Sequence, residues 1–219
     1  MLAFHNNPSI KEKYLSRVRA HRAADDIVRG RYGNEEGISG WRGCAVGCTI
    51  HGESHIAYEI ELGIPKWLAV TEDNIFEFMS ADKAPDWPIR FLEAIQVGAD
   101  LSTVFDRWMQ YLLIDDRDGV LQYTDQPGKE AIQKTADLIR RKMDGESVPL
   151  SVWQENAAAA VAYADAAAYA AAAYANAAAA NAAYANANAD ANANANAAAA
   201  YARDIQAEKL LEMLVSITD

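Results

Sequence analysis

The residues richest in chemistry lie in one short run, Trp41-Arg42-Gly43-Cys44-Ala45-Val46-Gly47-Cys48-Thr49-Ile50-His51, with His55 four positions on. Both cysteines of the chain are in it. Cys44, Cys48, His51 and His55 follow the order Cys-x3-Cys-x2-His-x3-His, which has zinc-ligand types, although four ligands within twelve residues differ from the separated pairs of structural zinc. Cys44 also follows glycine at an expected helix start. A helix dipole there lowers a thiol's pKa, so a nucleophilic Cys44 with His21 or His55 as partner is a second reading. The third is packing: Gly43, Cys44, Ala45, Gly47 and Cys48 at helical spacing describe a helix set tightly against its neighbour, and cysteine is a common buried small residue. The residue types leave all three open.

A second group of candidates is cationic. Asn7-Pro8 reads as an N-cap followed by proline at the first helical position, opening a helix to about Gly30. On it Ile10, Tyr14, Val18, His21, Asp25 and Val28 share one face, with Arg17, Arg19, Arg22 and Arg29 distributed around His21. His21 is then either a buried histidine donating to a neighbour or a ligand contact. The glycine-rich stretch 30–43 is expected to be a mobile loop that brings Arg42 and Cys44 back toward this helix. Arginine's planar fork suits phosphate or carboxylate. These residues therefore predict a small anionic, nucleotide-like ligand held by Arg17, Arg22 and Arg42 with His21 nearby. The competing reading pairs the same arginines with Asp25, Asp26, Glu35 and the acidic middle of the chain.

Charge distribution limits the partners. Residues 1–45 carry eight Lys and Arg against five Asp and Glu, residues 46–145 ten against eighteen, and residues 146–219 two against eight, within a net charge of −11. A cationic pocket in such a molecule attracts small anions while the surrounding charge repels long polyanions, so nucleic acid is not expected as a partner. Two cysteines, no run of 18 large apolar residues and no charged-then-apolar leader predict a cytoplasmic protein without disulfides, membrane contact or cofactor.

The elements that must position these groups read as helices. Segments 53–62, 65–79, 87–95, 101–113 and 127–143 are expected to be helical, with Trp67, Leu68, Ile75, Phe76, Met79, Phe91, Leu92, Ile95, Leu101, Val104, Phe105, Trp108, Leu112, Leu113, Ile132, Ala136 and Ile139 facing inward. Asp115, Asp116, Asp118 and Gly119 lack the spacing and terminal Glu of a calcium loop and read as a solvated turn. Val120 to Tyr123 is expected to be extended. From Asn156 to Ala202 the chain is nearly all alanine, broken by tyrosines and by scattered Asn and Asp, with neither Gly nor Pro from Ser151 onward. Alanine's helix propensity makes this tract helical, with a break expected in the Asn-rich stretch 186–196. Unbroken, it would run roughly 100 Å, against a radius of gyration of about 15 Å for a 150-residue body. Core-type residues stand at both its ends, Leu150, Val152 and Trp153 at one and Ala207, Leu210, Leu211, Leu214 and Ile217 at the other, so it should fold back. Tyr163, Tyr174 and Tyr184 fall near one face and should fill gaps between close-packed Ala helices. The fold class expected is all-α: a helical body over 1–150 and a long Ala-rich region over 151–219 packed on it. Self-association through the Ala faces into a homo-oligomer is the rival arrangement.

Several stretches carry a resemblance: Phe4-His5-Asn6, Lys13-Tyr14-Leu15, Arg42-Gly43-Cys44-Ala45-Val46-Gly47-Cys48-Thr49, Glu61-Leu62-Gly63-Ile64-Pro65, Glu72-Asp73-Asn74-Ile75-Phe76-Glu77, Trp87-Pro88-Ile89-Arg90-Phe91-Leu92-Glu93-Ala94-Ile95 and Gly98-Ala99-Asp100-Leu101-Ser102, followed by an Ala/Tyr-rich tail. Together they resemble a family of uncharacterised proteins of bacteria and their phages. The resemblance implies a phage or mobile-element accessory protein and brings no catalytic residues with it. Asn interrupts the tail here where Asp and Arg do in that family. Two functions remain: a non-enzymatic anti-defence binding protein that sequesters a small anionic ligand or a host protein, and a small cysteine-dependent enzyme using Cys44. Ice binding by the Ala-rich helix is a third reading, disfavoured by the lack of a regular Thr array.

Overall fold

The computed structural model describes residues 1–34, 38, 40–157 and 188–217, with the backbone alone for 188–196. The middle of the alanine tract, with Tyr163, Tyr174, Tyr184 and the expected fold-back, lies outside the described residues. The fold is all-α. Among the described residues there are helices, turns and three isolated β-bridges, and no strand. No described helix is long and apolar enough to cross a membrane. Contacts divide the chain into one unit of Met1–Phe105 with Ala195–Asp219 and another of Asp106–Asn194.

In the first unit the N-terminus is tied down at once. The Ala3 N–H donates to Ala99 O at 3.0 Å, Gly98 N–H donates to Ala3 O at 2.9 Å, and Phe4 turns inward fully buried. Helix α1 (Pro8–Ala23) starts as its sequence predicts, with the Asn7 side chain accepting from Ser9 N–H at 3.0 Å and Pro8 in the first turn. It ends seven residues before Gly30. Asp25 takes the left-handed conformation (φ 53°), Asp26 N–H bonds back to His21 O and Asp25 N–H to Arg22 O, which is a Schellman stop built on aspartate instead of glycine.

Beyond the stop the chain runs extended. Val28 N–H donates to Gly43 O at 2.7 Å, Gly43 N–H to Asp26 O at 3.0 Å, and Asn34 and Arg42 exchange two backbone bonds, so the loop read as mobile is pinned at both ends. It delivers helix α2 (Ala45–Ile50), every residue of which is buried. A π-helical turn, Tyr58–Leu62, stands where a longer helix over 53–62 was expected, and Gly63 closes it with φ 64°. Helix α3 (Lys66–Phe78) then buries Leu68, Ala69, Glu72, Ile75 and Phe76, and helix α4 (Trp87–Ala94) buries Trp87, Pro88, Phe91 and Leu92. These faces, with Tyr14, Leu15 and Val18 of α1, form the core.

Helix α5 (Val104–Ile114) leads into the second unit, where a 3-10 turn, Val120–Tyr123, replaces the extended piece expected there. Helix α6 (Gln126–Met143) is capped by Asp125, whose side chain accepts from Gly128 N–H at 3.1 Å. It buries Gly128, Ala136, Leu138 and Ile139; among the described residues of this unit Trp108 and Tyr111 are buried aromatics, while Leu112, Leu113 and Ile132, expected inside, are half-buried, and Phe105 at the start of α5 is exposed, meeting Trp67 edge-on instead of entering the core. Residues 150–157 are helical, but Leu150, expected as a core anchor, is exposed, and Val152 and Trp153 are only half-buried. Helix α7 (Asn188–Val215) is continuous through 188–196, within the Asn-rich stretch where a break was expected, because alternating alanine keeps the local helix preference ahead of asparagine's cost. In the first unit its end returns to the core, burying Ala207, Leu210 and Leu214 completely. There the Asp204 carboxylate accepts from Ser80 and Lys83, and Arg90 pairs bidentately with Glu208 at 2.8 and 2.7 Å.

Candidate functional site

Helix α2 organises the chemistry, with one group of side chains at each end. Its motif is first a packing device. A Cβ built on Gly43 or Gly47 would stand 2.0 Å or 1.5 Å from Tyr32 O, so the two glycines let the Tyr32 backbone lie directly against the helix. Cys48 is fully buried and its thiol faces the Gly43 and Asp26 carbonyls, at 3.3 and 3.6 Å. Burial pushes this thiol up to about 12.

Cys44 is the N-cap residue, its sulfur accepting from Gly47 N–H at 3.4 Å. The dipole argument predicts a lowered pKa; instead burial, and then the Asp73 charge, push it well above the ordinary thiol range. Desolvation outweighs the partial charge of so short a helix. A thiol kept neutral beside a carboxylate is a poor nucleophile at neutral pH.

The four residues of the zinc-like run do not gather. Among the described residues, the group able to place three ligand atoms within 4.8 Å of one another is Cys44, Asp73 and Glu77. Asp73 and Glu77 are one turn apart on α3. His55 joins them indirectly, its Nε2 lying 3.1 Å from Asp73 Oδ2. Gly30, Arg31 and Tyr32 complete the walls of a cavity of about 270 Å³ with these three side chains. Glu77 accepts the Gly30 N–H on both oxygens, at 2.9 and 3.2 Å, and burial, opposed by that bond, raises its pKa.

At the other end of α2, His51 stops the helix in the left-handed conformation (φ 53°). Its Nε2 meets His21 Nε2 at 2.8 Å, and Trp41 stacks on its ring at 5.4 Å with the planes 9° apart. Arg17 donates to Thr49 O at 2.8 Å, holding the last carbonyls of α2. Burial and then the Arg17 charge lower His51 to about 4. Burial lowers His21 as well, with Asp26 and a backbone bond to Trp41 opposing it. Both rings are therefore neutral at pH 7. One must donate and the other accept. The bond to the Trp41 backbone favours protonated His21, so His21 is the donor there; with its Nε2 left as acceptor, His51 donates across the pair.

The expected anion-binding residues have separate fates. Arg17 and His21 belong to this corner, and Arg42 follows Trp41 with its side chain exposed. Arg22 instead pairs with Asp86 at 2.6 Å and Asp25 at 3.4 Å. Arg29 donates to Phe76 O and Met79 O at the end of α3. Sequence reasoning did not find Trp41 as a ring partner, the His21–His51 contact, or the Asp73 and Glu77 carboxylates. Each depends on chain segments roughly ten to fifty residues apart, and a Glu four residues after an Asp on a helix is ordinarily a solvated pair. The second unit has a cleft of about 320 Å³ between α6 and residues 152–156, whose Arg141 is bound to Glu146. No protein-family model, curated protein or solved structure matches the chain, so the chemistry of these side chains carries the functional conclusion.

Proposed function

We propose that this is a non-enzymatic binding protein, an accessory of a phage or mobile element, that sequesters a small nucleotide-like anion at the corner formed by Arg17, His21, Trp41 and His51. The observation that carries the proposal is the convergence of a guanidinium, two neutral imidazoles and an indole from α1, the loop and the end of α2. The flat Trp41–His51 pair suits a base or another planar ring. Arg17 supplies charge, and Arg42, next to Trp41 with its side chain exposed, supplies a second guanidinium suited to phosphate. Arg22, engaged by Asp86 and Asp25, takes no part.

The His pair sets the pH dependence. Burial and Arg17 hold His51 down, while His21 faces Arg17, Asp26 and the Trp41 backbone; an anion here favours one added proton on the pair, the contact at 2.8 Å leaving no room for two facing N–H groups, so binding takes up a proton. Affinity therefore rises as pH falls below the ordinary histidine value of about 6.5. In the free protein the sign is opposite. Folded pKa values below the unfolded value mean that stability present above about pH 6.5 is lost as pH falls toward about 4.

Calorimetric titration with linear and cyclic nucleotides at about pH 7.5 and about pH 5.5 tests this. Binding is expected to be tighter at the lower pH, to weaken roughly tenfold or more in Arg17→Gln, and to be unchanged in Arg22→Gln. Absence of binding to the wild type, or equal binding by Arg17→Gln, would remove the ligand and leave capture of a host protein as the function.

A further inference from the structure

Independently of the anion corner, we propose that Cys44, Asp73 and Glu77 bind one thiophilic divalent cation of the zinc class, with His55 positioning the Asp73 carboxylate. The Cys44 sulfur and one oxygen of each carboxylate lie within 4.8 Å of one another. Tetrahedral zinc, with Zn–S near 2.3 Å and Zn–O near 2.1 Å, needs ligand separations of roughly 3.4–3.6 Å, so small side-chain rotations close the site.

Each ligand is already oriented. Asp73 Oδ2 is held by His55, the Cys44 thiol is hydrogen-bonded to the Asp73 carboxylate, and Oδ1 is shut off from solvent. That oxygen is the ligand atom. Glu77 is held by the Gly30 N–H, and the Gly47 N–H donates to the Cys44 sulfur, a bond that favours thiolate. A thiol and two partly buried carboxylates brought together are costly unless a cation lies between them. Binding exchanges the Cys44 S–H bond for a sulfur–metal bond and releases one proton to solvent. The thiolate selects zinc or cobalt over magnesium and calcium, which prefer oxygen alone. Three protein ligands leave a fourth position open toward a cavity of about 270 Å³, room for a water molecule. Cys48, whose thiol is engaged by the Asp26 and Gly43 carbonyls, is not part of the group and is excluded from the site.

The test is titration of the purified full-length chain with cobalt(II), followed by zinc. One equivalent of cobalt is expected to produce a thiolate-to-cobalt charge-transfer band and tetrahedral visible bands, both removed by zinc. The isosteric variants Cys44→Ser and Asp73→Asn should lack the charge-transfer band at unchanged helical content. Cys48→Ala should keep it, and His55→Gln should keep it with affinity weaker by roughly ten- to a hundredfold. Zinc-edge X-ray absorption of the wild type, which needs no variant, should show one sulfur among oxygen ligands. No band in the wild type, a band that survives Cys44→Ser, or two sulfurs around zinc would overturn the proposal.

Discussion

At Gly47 the question of what the Cys-rich motif is for can be separated from any ligand. An added methyl there would meet Tyr32 O at 1.5 Å and Tyr32 C at 2.6 Å, and these are backbone atoms pinned nearby by the Cys44 N–H to Arg31 O bond, so they cannot swing aside. Overpacking costs about 1–3 kcal/mol in cores that can relax, and Gly47→Ala is expected at or above the top of that range. Gly52→Ala, whose nearest neighbour is the end of the Ile50 side chain at 3.8 Å, should change stability by less than about 1 kcal/mol. Urea denaturation of the two variants measures the difference; coincident midpoints would show that Tyr32 yields. The packing character of the motif was legible, because small residues at helical spacing have few other meanings. Its partner was not: a loop carbonyl at Tyr32 carries no side-chain signal. The same holds for the chemistry at either end of α2. His21 was singled out, yet its partner His51 figured only in the alternative zinc reading, and Asp73 and Glu77 acquire meaning only when the fold sets them beside Cys44.

Among the elements, helix starts were legible and helix ends less so, for a physical reason. An N-cap is a side-chain function, visible as Asn7 before Pro8, whereas a C-terminal stop is a backbone conformation that glycine advertises and Asp25 does not; the Asp125 cap of α6 was not singled out in the sequence. Waiting for Gly30 extended α1 by seven residues and put Asp25 and Val28 on its face, when they belong to the stop and the extended chain after it. The Asp125 cap admits a direct test. Asp125→Ala removes the acceptor for Gly128 N–H and the negative charge at the N-terminus of α6, and is expected to cost about 1 kcal/mol, with Asp125→Ser restoring most of it. Thermal unfolding of the full chain measures both; equal losses for Ala and Ser would assign the effect to something other than the cap.

For the molecule as a whole, the consequential feature is that the end of the chain, after the alanine tract, belongs with the first unit. Apolar spacing at Ala207, Leu210 and Leu214 made that return legible, but alanine and leucine stripes do not choose a register. Asp204 does. Its side chain is only 6 % exposed and accepts from Ser80 N–H at 2.9 Å, Ser80 Oγ at 2.7 Å and Lys83 Nζ at 2.8 Å. Burial alone would raise this carboxyl's pKa; the Lys83 ammonium and the two Ser80 donors outweigh it and hold the group below the usual aspartate value. The sign then follows. A folded pKa below the unfolded one gives stability that is whole above about pH 5 and is lost as pH falls below about 4, through the folded pKa. Hydrogen bonds to a buried charge contribute about 1.5–3 kcal/mol, so Asp204→Asn, which keeps the shape and removes the charge, should be less stable than the wild type by roughly 2 kcal/mol at neutral pH. As the wild-type carboxyl protonates it comes to resemble the amide, and the gap between the two proteins should close in acid. Denaturant titrations of both proteins across this range measure the gap. A constant difference at every pH would mean that Asp204 acts by shape alone and that the apolar stripe of α7, without an ionic latch, sets where the end of the chain docks.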